Sequence, residues 1–307
     1  MKHLIIIFTF ICASMHALYE DWFSEGILSL SALVCKKNES VSKFFLIPGK
    51  TSFFYLDNSL PEKIPSRTSM TSRASIRFGV TNFMDFEFIL RGLYQHSGIN
   101  SSYKVSDTSI RAGFTLIRPK TSINHSALRF VIQQDFPTGH FKNLNPIKKD
   151  IGVSGFGYYT TQLYLCYHTI QSIGERLMRL TIDVGPGFSP PSCLLENYNL
   201  YGGSGGTMGH LKGLAHFNLI TNLVYTITQN VCFISDIGYF YSSKGSFYGK
   251  SSPIPTKRPV FKTLSLAPGF QVNFNENFSL NLCSYFSVFG KNSAQFNSAA
   301  IELIYKK

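Results

Sequence analysis

The chain has 307 residues and a formal net charge of +12, with 44% hydrophobic, 15% aromatic and only 15% charged residues. Soluble domains carry about 25% charged residues, and no apolar run beyond the N-terminus reaches the roughly 20 residues a membrane helix needs. Composition therefore argues against an ordinary soluble domain and against a helical membrane protein, and leaves the closed barrel, whose backbone polar groups are all satisfied between strands.

Residues 1–17 read as a cleavable secretory signal. Lys2 and His3 form a short basic start, Leu4 to Ala13 an apolar core, and Met15-His16-Ala17 a cleavage site ending in a small residue. Cys12 does not fit a lipoprotein acceptor, because Ile11 stands where that site needs a small residue. Residues 18–50 do not alternate cleanly. They are read as a periplasmic extension, against two alternatives: a segment tucked into the lumen, or a poorly formed strand in which Ile27–Cys35 competes with Thr51–Leu60 to be first.

The barrel is placed at residues 51–307. From about residue 70, stretches of about ten residues alternate apolar and polar side chains, the signature of a transmembrane barrel. Met178, Leu180, Ile182 and Val184 share one face of their segment, and Arg179, Thr181 and Asp183 the other. Between Asp85 and Leu93, Phe86, Phe88 and Leu90 point out while Glu87 and Arg91 point in. Arg77, Arg111, Arg129, Asp236 and Glu302 fall on the polar parity of their own strands. An arginine or lysine at the lipid midplane costs about 2–4 kcal/mol, so this consistent parity sends the charges to the lumen. Phe217, Leu219, Leu223 and Tyr225 belong to the lipid face.

Connection lengths alternate. Short ones fall at Thr81–Met84, Pro119–Asn124, Gln171–Arg176, Thr228–Asn230 and Asn275–Asn277. Long ones fall at Gln95–Ser106, Phe136–Asp150, Ser189–Lys212 and Ser243–Pro259. Short periplasmic turns and long extracellular loops characterise such barrels. The fold expected is all-β, a transmembrane antiparallel up-and-down barrel of about twelve strands, the last at Phe296–Lys306.

No catalytic or cofactor site is expected. Beyond the signal, Cys35, Cys166, Cys193, Cys232 and Cys283 are odd in number and widely spaced, which gives neither a disulfide framework nor a zinc site. The histidines form no metal pair. Gly202-Gly203-Ser204-Gly205-Gly206 lacks the Lys-Ser/Thr that a phosphate loop requires and reads as a flexible loop. His125 and Ser126 are adjacent in a short predicted turn, and adjacent strand residues face opposite ways, so they make a poor catalytic pair. The basic loops, one with Lys142, Lys148 and Lys149 and the other with Lys244, Lys250, Lys257 and Arg258, suit lipopolysaccharide phosphates or anionic solutes. Nucleic acid is not an expected partner of an exported chain without a dense basic cluster.

Several weak motifs form a recognisable series. These are Ile76-Arg77-Phe78-Gly79-Val80-Thr81-Asn82 with Phe86-Glu87-Phe88; Arg129-Phe130-Val131 leading to Phe136-Pro137-Thr138-Gly139; Asp150-Ile151-Gly152-Val153-Ser154-Gly155; and Leu264-Ser265-Leu266-Ala267-Pro268-Gly269-Phe270. Over residues 70–307 the chain resembles a family of outer-membrane proteins named after the meta-pathway of phenol degradation. The resemblance implies a barrel that aids uptake of small, often aromatic, compounds without a catalytic step. Two departures stand out. The family's acidic residue after a Gly-Val/Leu-Thr turn is displaced here to Asp85, and the chain ends Tyr305-Lys306-Lys307 without the terminal aromatic typical of assembly signals.

The expected function is passive movement of small solutes, anionic or aromatic, through a pore whose selectivity is set by Arg77, Glu87, Arg91, Arg111, Arg129, Arg179, Asp183 and Asp236. A closed barrel acting as a surface-interaction protein is the alternative. Expected partners are outer-membrane lipids, lipopolysaccharide, the small solute and the outer-membrane assembly machinery.

Overall fold

The structure, a computed structural model, describes residues 27–31, 33–118, 125–146, 151–190, 192–212, 214–249 and 259–307. The expected signal segment and the turn at residues 119–124 lie outside them. The strands are β1 (Ser40–Tyr55), β2 (Pro61–Thr81), β3 (Met84–Ser97), β4 (Asn100–Val105), β5 (Thr108–Ile117), β6 (His125–Phe136), β7 (Thr160–Ile173) and β8 (Arg176–Ser189). They continue with β9 (Leu195–Glu196), β10 (Met208–Lys212), β11 (Leu214–Thr226), β12 (Val231–Ser242), β13 (Ser246–Tyr248), β14 (Phe261–Asn273), β15 (Phe278–Lys291) and β16 (Ser293–Lys306).

Each wall strand pairs antiparallel with its neighbour, and β1 pairs with both β2 and β16, so the wall closes on itself. Twelve strands make the wall. β4 is a short return that pairs with the upper half of β3, whose lower half pairs with β5. Closure is tied at one end by the chain itself: the Ser40 amide donates to the Lys307 carbonyl at 2.8 Å, and the Lys307 amide to the Ser40 carbonyl at 2.9 Å. The tight turns after β2, β7, β11 and β14 lie at that same end. Gly174 in the β7–β8 turn has a φ of 63°, which a side chain would strain.

Alternation holds through the register. His168, Thr181, Asn222 and Asp236 form one inward row across β7, β8, β11 and β12, while Thr169, Leu180, Leu223 and Ser235 form the outward row beside it. The long connections at the opposite end are partly ordered. β9, β10 and β13 pair into a small sheet over Phe141, Tyr158, Leu195, Tyr201, Leu211 and Leu214. The segment Gln95–Ser106, expected as a loop, extends β3 through a two-residue turn into β4.

The wall starts earlier than the sequence suggested. β1 begins at Ser40, and Thr51–Tyr55 is its final third, so residues 40–50 are wall and not extension. Alternation fails at Phe44-Phe45-Leu46-Ile47 because the inner face is apolar there: Phe45 and Ile47 pack inward onto the chain that enters the lumen.

Candidate functional site

The lumen is the candidate site, and residues 27–31 and 33–35 occupy part of it. Ile27 packs among Phe45, Ile170, Val224, Ile234 and Ala300, inward residues contributed by strands on several sides of the wall. Leu30 packs with Ala127, Val131, Tyr164 and Cys166. Cys35 reaches Val41 and Ile304 near the tight-turn end. This segment runs without regular secondary structure, so its backbone amides need acceptors. Wall carboxylates supply them. The Leu28 amide donates to Asp236 at 3.0 Å, the Leu30 amide to Asp183 at 2.6 Å and the Cys35 amide to Asp85 at 2.9 Å. Arg129 Nη1 donates to the Ser31 carbonyl at 2.8 Å. Gly79 lets the chain leave the lumen, since a Cβ there would collide with the Lys36 carbonyl. Of the alternatives open for residues 18–50, the lumen placement describes 27–31 and 33–35.

The eight charged residues singled out in the sequence all face inward. They do not stand as an unopposed arginine lining. Asp85 holds Arg129 and lies 3.9 Å from Arg77; Glu87 holds Arg111 at 3.0 Å; Asp135 lies 3.9 Å from Arg91; and Glu302 takes Arg73 at 3.2 Å. Arg179 donates to Asn222 at 3.3 Å, and Asn222 donates to Asp236 at 2.7 Å. The five arginines and three carboxylates named for selectivity are joined by Arg73 and Lys43 and by Asp85, Asp135 and Glu302, the last already on its strand's polar parity, so the named inward charges are seven positive and six negative. Gly113 leaves room for Arg129, whose guanidinium lies where its Cβ would be. Asp135 and Arg73 share the parity of Arg129 and Arg77, and that spacing was the available signal for both.

At the loop end, Asp107, in the two-residue connection between β4 and β5, accepts the amides of Gly139 at 2.9 Å and Phe156 at 2.8 Å. It thereby pins the β6–β7 connection against the wall. Burial is the largest influence on its carboxyl and raises its pKa above the usual range, against those two amide bonds. His140 in the same connection is pushed below the usual histidine value by burial and the nearby Lys104. Beside this loop a file of rings runs along the inner face of neighbouring strands β11, β12 and β14 at the loop end. Tyr158 stacks on His216 at 5.8 Å, His216 on Phe240 at 6.1 Å, and Phe240 meets Phe261 edge-on at 5.5 Å. His216 Nε2 also shares a hydrogen bond with Ser189 Oγ at 2.9 Å.

Other candidates resolve differently. His125 and Ser126 both lie on β6 and not in a turn. His125 faces inward 5.7 Å from His168, whereas Ser126 bonds the Tyr167 hydroxyl at 2.9 Å on the outer face. They cannot act as a dyad. Gly202–Gly206 lies in the capping connection, with Gly205 and Gly206 open to space. Among the described residues, no group of three or more His, Cys, Asp or Glu is placed to hold a metal. Lys142 pairs with Glu196 at 2.8 Å. Lys148, Lys149, Lys250, Lys257 and Arg258 lie outside the described residues.

No protein-family model and no curated protein matches the sequence. Solved structures do match the fold. An outer-membrane channel from Pseudomonas putida F1 superposes with a TM-score of 0.71 at 9% identity, over 92% of this chain and 100% of that one. Looser matches include the translocator domain of the autotransporter NalP from Neisseria meningitidis, with a TM-score of 0.41 at 9% identity over 99% and 97% of the two chains. Another is the CymD monoaromatic hydrocarbon channel, with a TM-score of 0.38 at 9% identity over 89% and 88%. The chain therefore has the fold of an outer-membrane barrel.

Proposed function

We propose that the protein carries small, partly apolar solutes across the outer membrane by passive diffusion, belongs with the meta-pathway-type barrels it resembles, and performs no catalytic step. The observation that carries this reading is the lumen itself. The segment at residues 27–31 and 33–35 narrows the passage, and a file of rings, Tyr158, His216, Phe240 and Phe261, lines one side of the path at the loop end, across from the paired Arg91 and Asp135. Apolar and aromatic walls with a few fixed polar groups suit small organic ligands. The charge pairs along β2, β3, β5 and β6 act as internal cross-links, and an anion preference would have to come from the mouth. That the best-superposing solved structure described above is an outer-membrane channel supports the reading.

A second reading, a closed barrel that presents its loops to other molecules, is favoured by one feature: the ordered cap of β9, β10 and β13 over a filled lumen. Uptake separates the two. Cells whose outer membrane holds this protein should accumulate a labelled small aromatic compound faster than cells without it. A Phe240→Asp variant, which puts charge among the rings, should lose most of that gain. Equal uptake in all three would leave the loop-presenting reading standing.

A further inference from the structure

One corner of the loop-end rim gathers cations on the lipid-facing side. Tyr241, Lys262 and Lys291 are neighbours in one row across β12, β14 and β15. Their partners in the alternation, Ser242 and Ser265, are buried on the inner face, which places this row outside. Lys262 and Lys291 stand directly opposite each other, a like-charge pairing that destabilises a sheet. Lys262 lies 5.9 Å over the Tyr241 ring. Lys291 reaches Asp57 at 3.1 Å. That carboxylate is held by Asn292 at 3.1 Å, and the same Asn292 amide bonds the Val260 carbonyl at 2.9 Å, fixing three connections together. Lys244 also acts on Asp57, whose carboxyl is lowered chiefly by its bond from Lys291.

Three ammonium groups against one carboxylate leave two positive charges here. A phosphate monoester brings about −1.5 to −2 at neutral pH. The next outward row, Tyr239, Leu264 and Phe289, is apolar and aromatic, as a girdle at the headgroup boundary is. The lysines therefore stand at headgroup height, at the end that carries the long loops and faces the cell exterior in such barrels.

We propose that Lys262, Lys291 and Lys244, with the ring of Tyr241, form a binding site for a phosphate of the lipid A headgroup in the outer leaflet. The assignment rests on the outer-membrane reading above and is independent of what the lumen carries. The test is native mass spectrometry of the refolded full chain titrated with bisphosphorylated lipid A, dephosphorylated lipid A and phosphatidylglycerol. The wild type should retain bisphosphorylated lipid A over the other two. Lys262→Gln with Lys291→Gln should weaken that binding about 30-fold, the loss expected for two basic groups beside an anionic lipid. Lys262→Arg with Lys291→Arg should keep it. Heat-modifiable gel mobility reports barrel assembly in each variant, and single-channel conductance reports the lumen separately. Equal retention of the three lipids by the wild type, or equal binding by the Gln and Arg pairs, would overturn the site while leaving the channel reading untouched.

Discussion

The backbone amide of Leu30 donates to the carboxylate of Asp183 at 2.6 Å, joining an irregular stretch inside the barrel to the middle of β8, 153 positions away in sequence. Three wall aspartates, at 85, 183 and 236, bond successive parts of the segment at residues 27–35 in this way. Leu30→Pro removes the donor without removing the carboxylate. A buried acceptor left without its partner costs about 1–3 kcal/mol. The variant should assemble normally and show more frequent open events in planar bilayers than the wild type.

Strand register can be checked from the lipid side. Leu180 faces outward between Thr169 and Leu223. Leu180→Arg places a charge in hydrocarbon at about 2–4 kcal/mol, so the yield of heat-modifiable barrel should fall sharply. Leu180→Val should leave it near the wild-type level. Equal yields would mean that β8 is displaced by one residue.

Much of the wall was legible because lipid enforces a strict period of two: Leu180, Phe88 and Leu219 out, Arg179, Glu87 and Asp236 in. The eight lumen positions followed from the same rule. What the rule could not see was the dry part of the lumen. Where Ile27 and Leu30 fill the barrel, the inner face becomes apolar, so Phe45, Ile47, Val224 and Ile234 broke the contrast that marks a strand. That is why β1 began eleven residues later in the sequence reading than at Ser40. The pairing of the arginines was hidden for another reason. It depends on which strands are neighbours, and Arg73–Glu302 joins residues 229 apart.

The buried pair of Arg129 and Asp85 gives a stability test. Breaking a buried ion pair from one side costs about 3–5 kcal/mol, because the remaining charge is uncompensated. Arg129→Met should lower the unfolding free energy read from urea titration by less than that full cost, because Arg77 stays 3.9 Å from Asp85. Arg129→Met combined with Asp85→Leu should recover part of the loss, short of the wild type, because the Cys35 amide then lacks its acceptor and Arg77 loses the carboxylate 3.9 Å away. A strictly additive double variant would show the two side chains to be uncoupled.

Asp107 predicts a pH dependence of the cap. Its carboxyl is raised above the ordinary 3.8 chiefly by burial. Between 3.8 and the raised value the folded loop binds more protons than the released one, so protonation favours the folded form and its stability falls as pH rises through that window. Amide exchange at Gly139 and Phe156, corrected for intrinsic rates, should show protection that weakens as pH rises through that window. Asp107→Asn should flatten the dependence. An unchanged profile in the variant would assign it to another group, such as His140.

The most direct measurement of the account is single-channel conductance of the refolded wild type beside a variant lacking residues 27–35. A passage narrowed by that segment predicts small conductance steps for the wild type and steps several-fold larger for the deletion, with both proteins equally heat-modifiable. Equal conductance in the two proteins would contradict it, because the lumen would then be limited by something other than the chain that lies within it.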